Sequence, residues 1–225
     1  MISWPGMRHE NRLPAALALC LSFAAGCATT HQVRPLGKGN ASVNASLGGP
    51  LLGLFGGVFP GPIVSVGGAY GISDKLDVLM HADVTAAAFG NLHLDPGVAW
   101  HPLVTEGGPV PTLTLGGSVH LFTNFKDALV APDLTFAAAW RLGKRHLIYT
   151  GVDAGIAIRT QVRPIVGPFV GAEARVSKRV GLTLEVKWLA PWYDTTPAAP
   201  VWVSPGGYGF ISVLLGVNVY IGDVK

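Results

Sequence analysis

The chain has 225 residues, 49% hydrophobic and only 13% charged, with 30 glycines and 17 prolines; that is long enough for one substantial domain and well short of the roughly 25% charge of a soluble average. Its net charge of +3 comes from basic residues that form no stripe interleaved with aromatics, which argues against nucleic acid as a partner. Past the leader no stretch reaches the roughly 20 apolar residues of a transmembrane helix, so a membrane-spanning chain of this composition must be a closed barrel.

Residues 1 to 26 read as a signal peptide. Arg8 and Arg12 supply its positive region, and "LPAALALCLSFAAGC" at 13 to 27 supplies an apolar core and a small-residue cleavage site. A start at Met7 makes this leader more compact. At its end "AAGCATT" resembles the lipobox of bacterial lipoproteins, with Ala24 standing where Leu is preferred. The resemblance implies acylation of Cys27 and cleavage before it, and Ala28 after the cysteine favours the outer membrane. Cys20 follows the bulky Leu19 and leaves with the signal, so no internal disulfide forms. Residues 27 to 39 are then a lipid-anchored polar tether, containing "ATTHQVRPLGKG", because two or more acyl chains anchor stably.

Residues 40 to 225 form the barrel domain. Ten alternating segments lie at 40–48, 62–71, 75–86, 91–101, 111–122, 132–142, 146–158, 165–176, 181–190 and 208–221, separated by turn signals. Most have the 9 to 12 residues that a tilted strand needs to cross a bilayer. In the third segment, "LDVLMHADVTA", Leu76, Val78, Met80, Ala82 and Val84 share one face, and Asp77, His81 and Asp83 the other. Strand four sets Leu92, Leu94, Val98 and Trp100 against Asn91, His93, Asp95 and His101; strand nine sets Leu182, Leu184, Val186 and Trp188 against Thr183, Glu185 and Lys187. The expected fold class is all-β, a closed antiparallel up-and-down transmembrane barrel of about ten strands, with eight the smaller alternative.

The connections support that fold. With the N-terminus on the periplasmic side, "GISDK", "GKR" and "SKRVG" are tight periplasmic turns, and only "PLVTEGGPVP" at 102–111 is longer. The opposite set holds "GPLLGLFGGVFPGP" at 49–62, expected as a mobile apolar loop, "TNFKDALVA" at 123–131 and "APWYDTTPAAPVWVSPGG" at 190–207. Short turns on one side and long loops on the other is the outer-membrane barrel pattern. Tyr70, Trp100 and Trp140 mark the periplasmic rim of the apolar face, whereas Tyr220 points inward at the same level. "YGISDKLDV" and "VSKRVGLTLEV" resemble the hairpins of small outer-membrane β-barrel proteins, although Pro96 and Pro168 fall within strands and the chain ends in Lys225 instead of an aromatic residue.

No catalytic signature is present. Ser118, His120 and Asp133 share the polar face of neighbouring strands, but side chains at i and i+2 stand about 7 Å apart, too far for direct proton transfer. "HLD" at 93–95, with His81, Asp83, His101 and His120, contains metal-ligating types without a fixed ligand spacing, so these histidines are expected in hydrogen-bonded packing and neither metal nor cofactor is expected. Asp77, His81, Asp83, Arg141, Glu173, Arg175, Glu185 and Lys187 are expected to form a lumen polar network. The resulting expectation is a monomeric, non-enzymatic outer-membrane barrel anchored at Cys27, structural or with a narrow pore, whose partners are outer-membrane lipids and the barrel assembly machinery. One alternative is a periplasmic lipoprotein with a lipocalin-like barrel, in which Leu76, Val78 and Met80 face an apolar core. A lipid-modifying hydrolase is the other.

Overall fold

The computed structural model describes residues 29–54, 57–143, 145–158, 162–194 and 208–224. The leader, Cys27 and the proline-rich stretch 195–207 lie outside the described residues. In chain order the elements are β1 (Ala41–Leu54), β2 (Gly57–Pro60), β3 (Ile63–Ser73), β4 (Leu76–Asp83), α1 (Val84–Ala88), β5 (Leu92–Leu103), β6 (Thr112–Thr123), β7 (Ala128–Leu142), β8 (His146–Ile158), β9 (Val162–Arg175), β10 (Val180–Asp194) and β11 (Tyr208–Ile221). Each wall strand runs antiparallel to the next. β1 pairs with β3 on one side and with β11 on the other, from Ala41 opposite Ile221 to Pro50 opposite Ser212, so the sheet closes on itself. Among the described residues ten strands form the wall, and β2 is a short arm that folds back on the end of β1.

Alternation decides which face meets what. Val43, Leu134 and Leu215 are 53%, 67% and 58% exposed on the outer surface, while Asp77 and Glu185 are 1% and 0% exposed inside. The buried side chains are more often polar or charged than apolar, the reverse of a soluble core. On β4, Met80 faces out and Asp77, His81 and Asp83 face in, which overturns the lipocalin-like alternative. Tyr70 and Trp100 are exposed at the rim, and Tyr220 is buried.

Several sequence expectations shift at the strand ends. β4 stops at Asp83, three residues early, because the Asp83 carboxylate accepts the Ala86 N–H at 2.8 Å and caps α1, where Ala86, Ala87 and Ala88 favour a helical turn. The apolar loop 49–62 is largely the β1–β2 hairpin, with Leu51 opposite Pro60. β1 parts from β3 at Gly48, where φ is +146° and any Cβ would collide with the Val213 carbonyl, and stays on β11 as far as Pro50. The loop 123–131 shrinks to a turn at 124–127, where Asn124 Oδ1 accepts the N–H groups of Lys126 and Asp127 at 2.9 and 2.7 Å. The difference in loop length between the two ends is therefore smaller, among the described residues, than the sequence indicated.

The two prolines take positions where a ladder lapses. β5 pairs with β6 at Leu94–Leu121 and again at Gly97–Ser118, skipping Asp95 and Pro96. β9 pairs with β10 only as far as Phe169–Lys187, one residue short of Pro168. The lapse is confined to one side of each proline, since Pro96 stays in register with Met80 and Pro168 with Val152 on the other.

Candidate functional site in the barrel lumen

The lower lumen, at the end bearing the turns near 74 and 178, is filled by residues 29–40 of the same chain. Residues 29–40 enter beside Gly39, whose N–H donates to Gly71 O at 2.9 Å, and run up the inside of the wall. Leu36 N–H donates to Asp77 Oδ2 at 3.2 Å. Arg34, buried, donates through Nε and Nη2 to Glu173 Oε1 at 3.0 and 2.8 Å. Val33 packs among Ala137, Ala139, Leu147, Tyr149 and Phe169. Higher still, His31 stacks on Phe169 with ring centroids 3.8 Å apart, and its two ring nitrogens face Glu185 Oε1 at 3.1 Å and Asp153 Oδ1 at 2.8 Å. Only the protonated ring donates to both. Thr29 O accepts from Lys187 Nζ at 3.1 Å.

Charge explains why this segment fits. The wall of β8 to β10 presents Asp153, Glu173 and Glu185 with Lys187 among them, and residues 29–40 bring Arg34 and a protonated His31 to it. Space is made by small residues. A side chain at Gly216 would meet Thr30 Oγ1 at 3.0 Å, and one at Gly171 would overlap the Tyr149 ring, whose hydroxyl donates to Glu185 Oε2 at 2.7 Å. The lower mouth is closed by Leu36, Ala69, Tyr220 and Val224, with Leu79 against them. Arg175 lies 4.4 Å over the Tyr220 ring and donates to Val224 O at 2.8 Å.

The upper lumen is lined differently. His81 Nε2 contacts Asn44 Nδ2 at 3.1 Å. His93 and Asp95 share the inner face of β5, and His120 reaches across from β6. Asp95 Oδ1 meets both His93 Nε2 at 2.8 Å and His120 Nδ1 at 2.7 Å. His93 Nδ1 is buried without a hydrogen-bond partner, and Asp83 Oδ2 stands 4.0 Å from it.

Every described residue of the expected polar network faces the lumen, but the residues do not form one network. Glu185 and Lys187 meet at 3.3 Å. Asp77 joins His101 Nε2 at 3.1 Å near the lower mouth, while His81 and Asp83 belong to the upper lumen. Glu173 takes Arg34 from residues 29–40 and the Tyr220 hydroxyl from β11. Arg141 is half-buried on β7. Of the proposed hydrolase trio, Ser118 lies opposite Asp133 in register, but His120 Nδ1 is directed to Asp95. Sequence reasoning missed Thr29, His31, Gln32 and Arg34, because residues expected as a tether lie inside the barrel. The available signal was an acidic inner wall, from Asp77, Asp153, Glu173 and Glu185, with too few inward cations on the strands themselves.

No protein-family model matches the chain, and no characterised protein sequence does. Among solved structures it is similar to the translocator domain of the autotransporter NalP from Neisseria meningitidis, with a TM-score of 0.47 and 8% identity over 92% of this chain and 95% of that one. It is also similar to a loop-deleted OmpT, an outer membrane protein of Vibrio cholerae, with a TM-score of 0.35 and 8% identity over 80% and 62% of the two chains. CarO of Acinetobacter baumannii follows with a TM-score of 0.25 and 13% identity over 85% and 100%. The architecture stands on the strand pairing and not on these likenesses.

Proposed function

We propose that this chain is a non-enzymatic outer-membrane β-barrel, structural in role, whose lower lumen is occluded by its own residues 29–40. One observation carries the reading: a closed wall with exposed apolar side chains outside and buried charges inside. Such a surface suits hydrocarbon and not water. Tyr70 and Trp100 at the lower rim and Tyr208 at the upper end are exposed on the outer face, at the levels where aromatic side chains favour membrane interfaces. The narrow-pore role becomes conditional on removing the plug, since ten strands leave little room beyond side chains. Heat-modifiable gel migration together with outer-membrane fractionation tests the location, and a protein freely soluble without detergent would end the proposal. In planar bilayers the full chain is expected not to conduct and residues 40–225 alone to conduct. Equal conductance of both would remove the plug from the account.

Acylation of Cys27 fits the outer-membrane location but competes with the plug. Thr29 is held at Lys187, the eighth residue of β10, roughly 20 Å along the strand from the lower rim. Two residues of chain span only about 7 Å. An acyl anchor at Cys27 in the lower leaflet and a filled lumen are therefore alternatives. Mass measurement of the mature N-terminus, paired with protease protection of residues 29–40, separates them: an acylated and protected N-terminus contradicts this geometry.

A further inference from the structure

The upper lumen contains a feature that neither the plug nor the wall explains. One ring nitrogen each of His93 and His120 and a carboxylate oxygen of Asp95 all lie within 4.8 Å of one another. Two imidazoles converge on one carboxylate oxygen, Asp95 Oδ1, at 2.8 and 2.7 Å. If hydrogen bonds alone held this trio around a neutral His93 ring, that ring would donate from Nε2 to Asp95. Its Nδ1 lone pair would then be left bare, buried and facing the Asp83 carboxylate, an arrangement that loses a hydrogen bond and places like partial charges together.

We propose that His93, Asp95 and His120 bind a divalent transition cation such as Zn2+, with Asp83 orienting the His93 ring. A cation on Nε2 obliges the ring proton to sit on Nδ1, where it points at Asp83 Oδ2, 4.0 Å away. That is the carboxylate–histidine–metal relation by which metal sites hold a ligand's tautomer and direction. Two imidazole nitrogens and one carboxylate oxygen suit zinc, cobalt or nickel, whereas calcium and magnesium take oxygen donors. Ligand distances of about 2.0–2.2 Å require the donor atoms to part by roughly half an ångström. Asp95 lies in the gap of the β5–β6 ladder, between the Leu94–Leu121 and Gly97–Ser118 pairs, so no hydrogen-bonded pair across the two strands has to break for that. His120 is 22% exposed, which leaves a coordination position open toward the upper lumen for water.

The test uses the untagged full chain, folded in detergent and stripped with a chelator. Titration with Zn2+ is expected to show one equivalent bound, and Co2+ to give the visible absorption of a four-coordinate site in the wild-type protein. His120→Ala and Asp95→Asn are expected to abolish that absorption. Asp83→Asn, which keeps a side chain able to cap α1, is expected to weaken Zn2+ binding by about 10- to 100-fold. His146→Ala, exposed at the opposite end, is expected to leave it unchanged. Absence of the Co2+ band in the wild type, or Zn2+ binding that is the same in His120→Ala as in the wild type, would overturn the site. Because the cobalt measurement needs no variant, a misfolded mutant does not shield the proposal.

Discussion

The two halves of the lumen use the same residue types to opposite ends. Below, carboxylates of β8 to β10 meet cations delivered by a different part of the chain, and apolar side chains seal the gaps around Val33 and Leu36. Above, His93, Asp95 and His120 meet one another within two residues or across one ladder, in space that is partly open. A buried charge is stable where its partner is fixed and water is excluded, and removal of that partner is then severe. A pair beside water is cheaper to break. The lower half therefore carries fold stability, and the upper half is free for chemistry.

Substitutions graded by burial test that contrast, with denaturant unfolding of the detergent-folded protein followed by the fluorescence of its six tryptophans. Arg34→Ala is expected to have the largest effect, about 3–5 kcal/mol, because it strands Glu173 in a dry interior. Adding Glu173→Gln to the same chain should recover part of that loss, and no recovery would mean that the pair does not account for it. His31→Ala removes bonds to Glu185 and Asp153 and is expected to cost about 1–3 kcal/mol. For His120→Ala in the upper lumen, measured without added metal, about 0.5–1.5 kcal/mol is expected. Asp83→Asn should fall within about 0.5 kcal/mol, since asparagine caps as well as aspartate. If His120→Ala proved as damaging as Arg34→Ala, the division between the halves would fail.

Much of the barrel was legible in the sequence, because alternation under a closed wall repeats in every strand. The strand at 146–158 matches β8 in full, and the inward faces of β4, β5 and β10 follow from period two. What escaped was local competition at strand ends: Asp83 prefers to cap a helix, and Asn124 folds a tight turn. The plug escaped for another reason. Residues 30 to 34 are buried, or nearly so, on all sides, and a segment surrounded by wall has no apolar and polar faces to alternate. At His93, Asp95 and His120 the residue types were visible, but ligand convergence depends on the β5–β6 register, which one strand read alone does not contain.

The plug also constrains the order of events during folding. Thr29 is 158 residues from its partner Lys187, and His31 is 154 from Glu185, while the seam joins β1 to β11 at the two ends of the barrel domain. The chain thus closes a cylinder around its own residues 29–40. Threading twelve residues through a finished cylinder is slow compared with laying them on an open sheet, so β8 to β10 must receive the segment before β11 zips onto β1. Such late, long-range closure places the slow step of folding at the seam, and a cylinder that closes first is trapped empty.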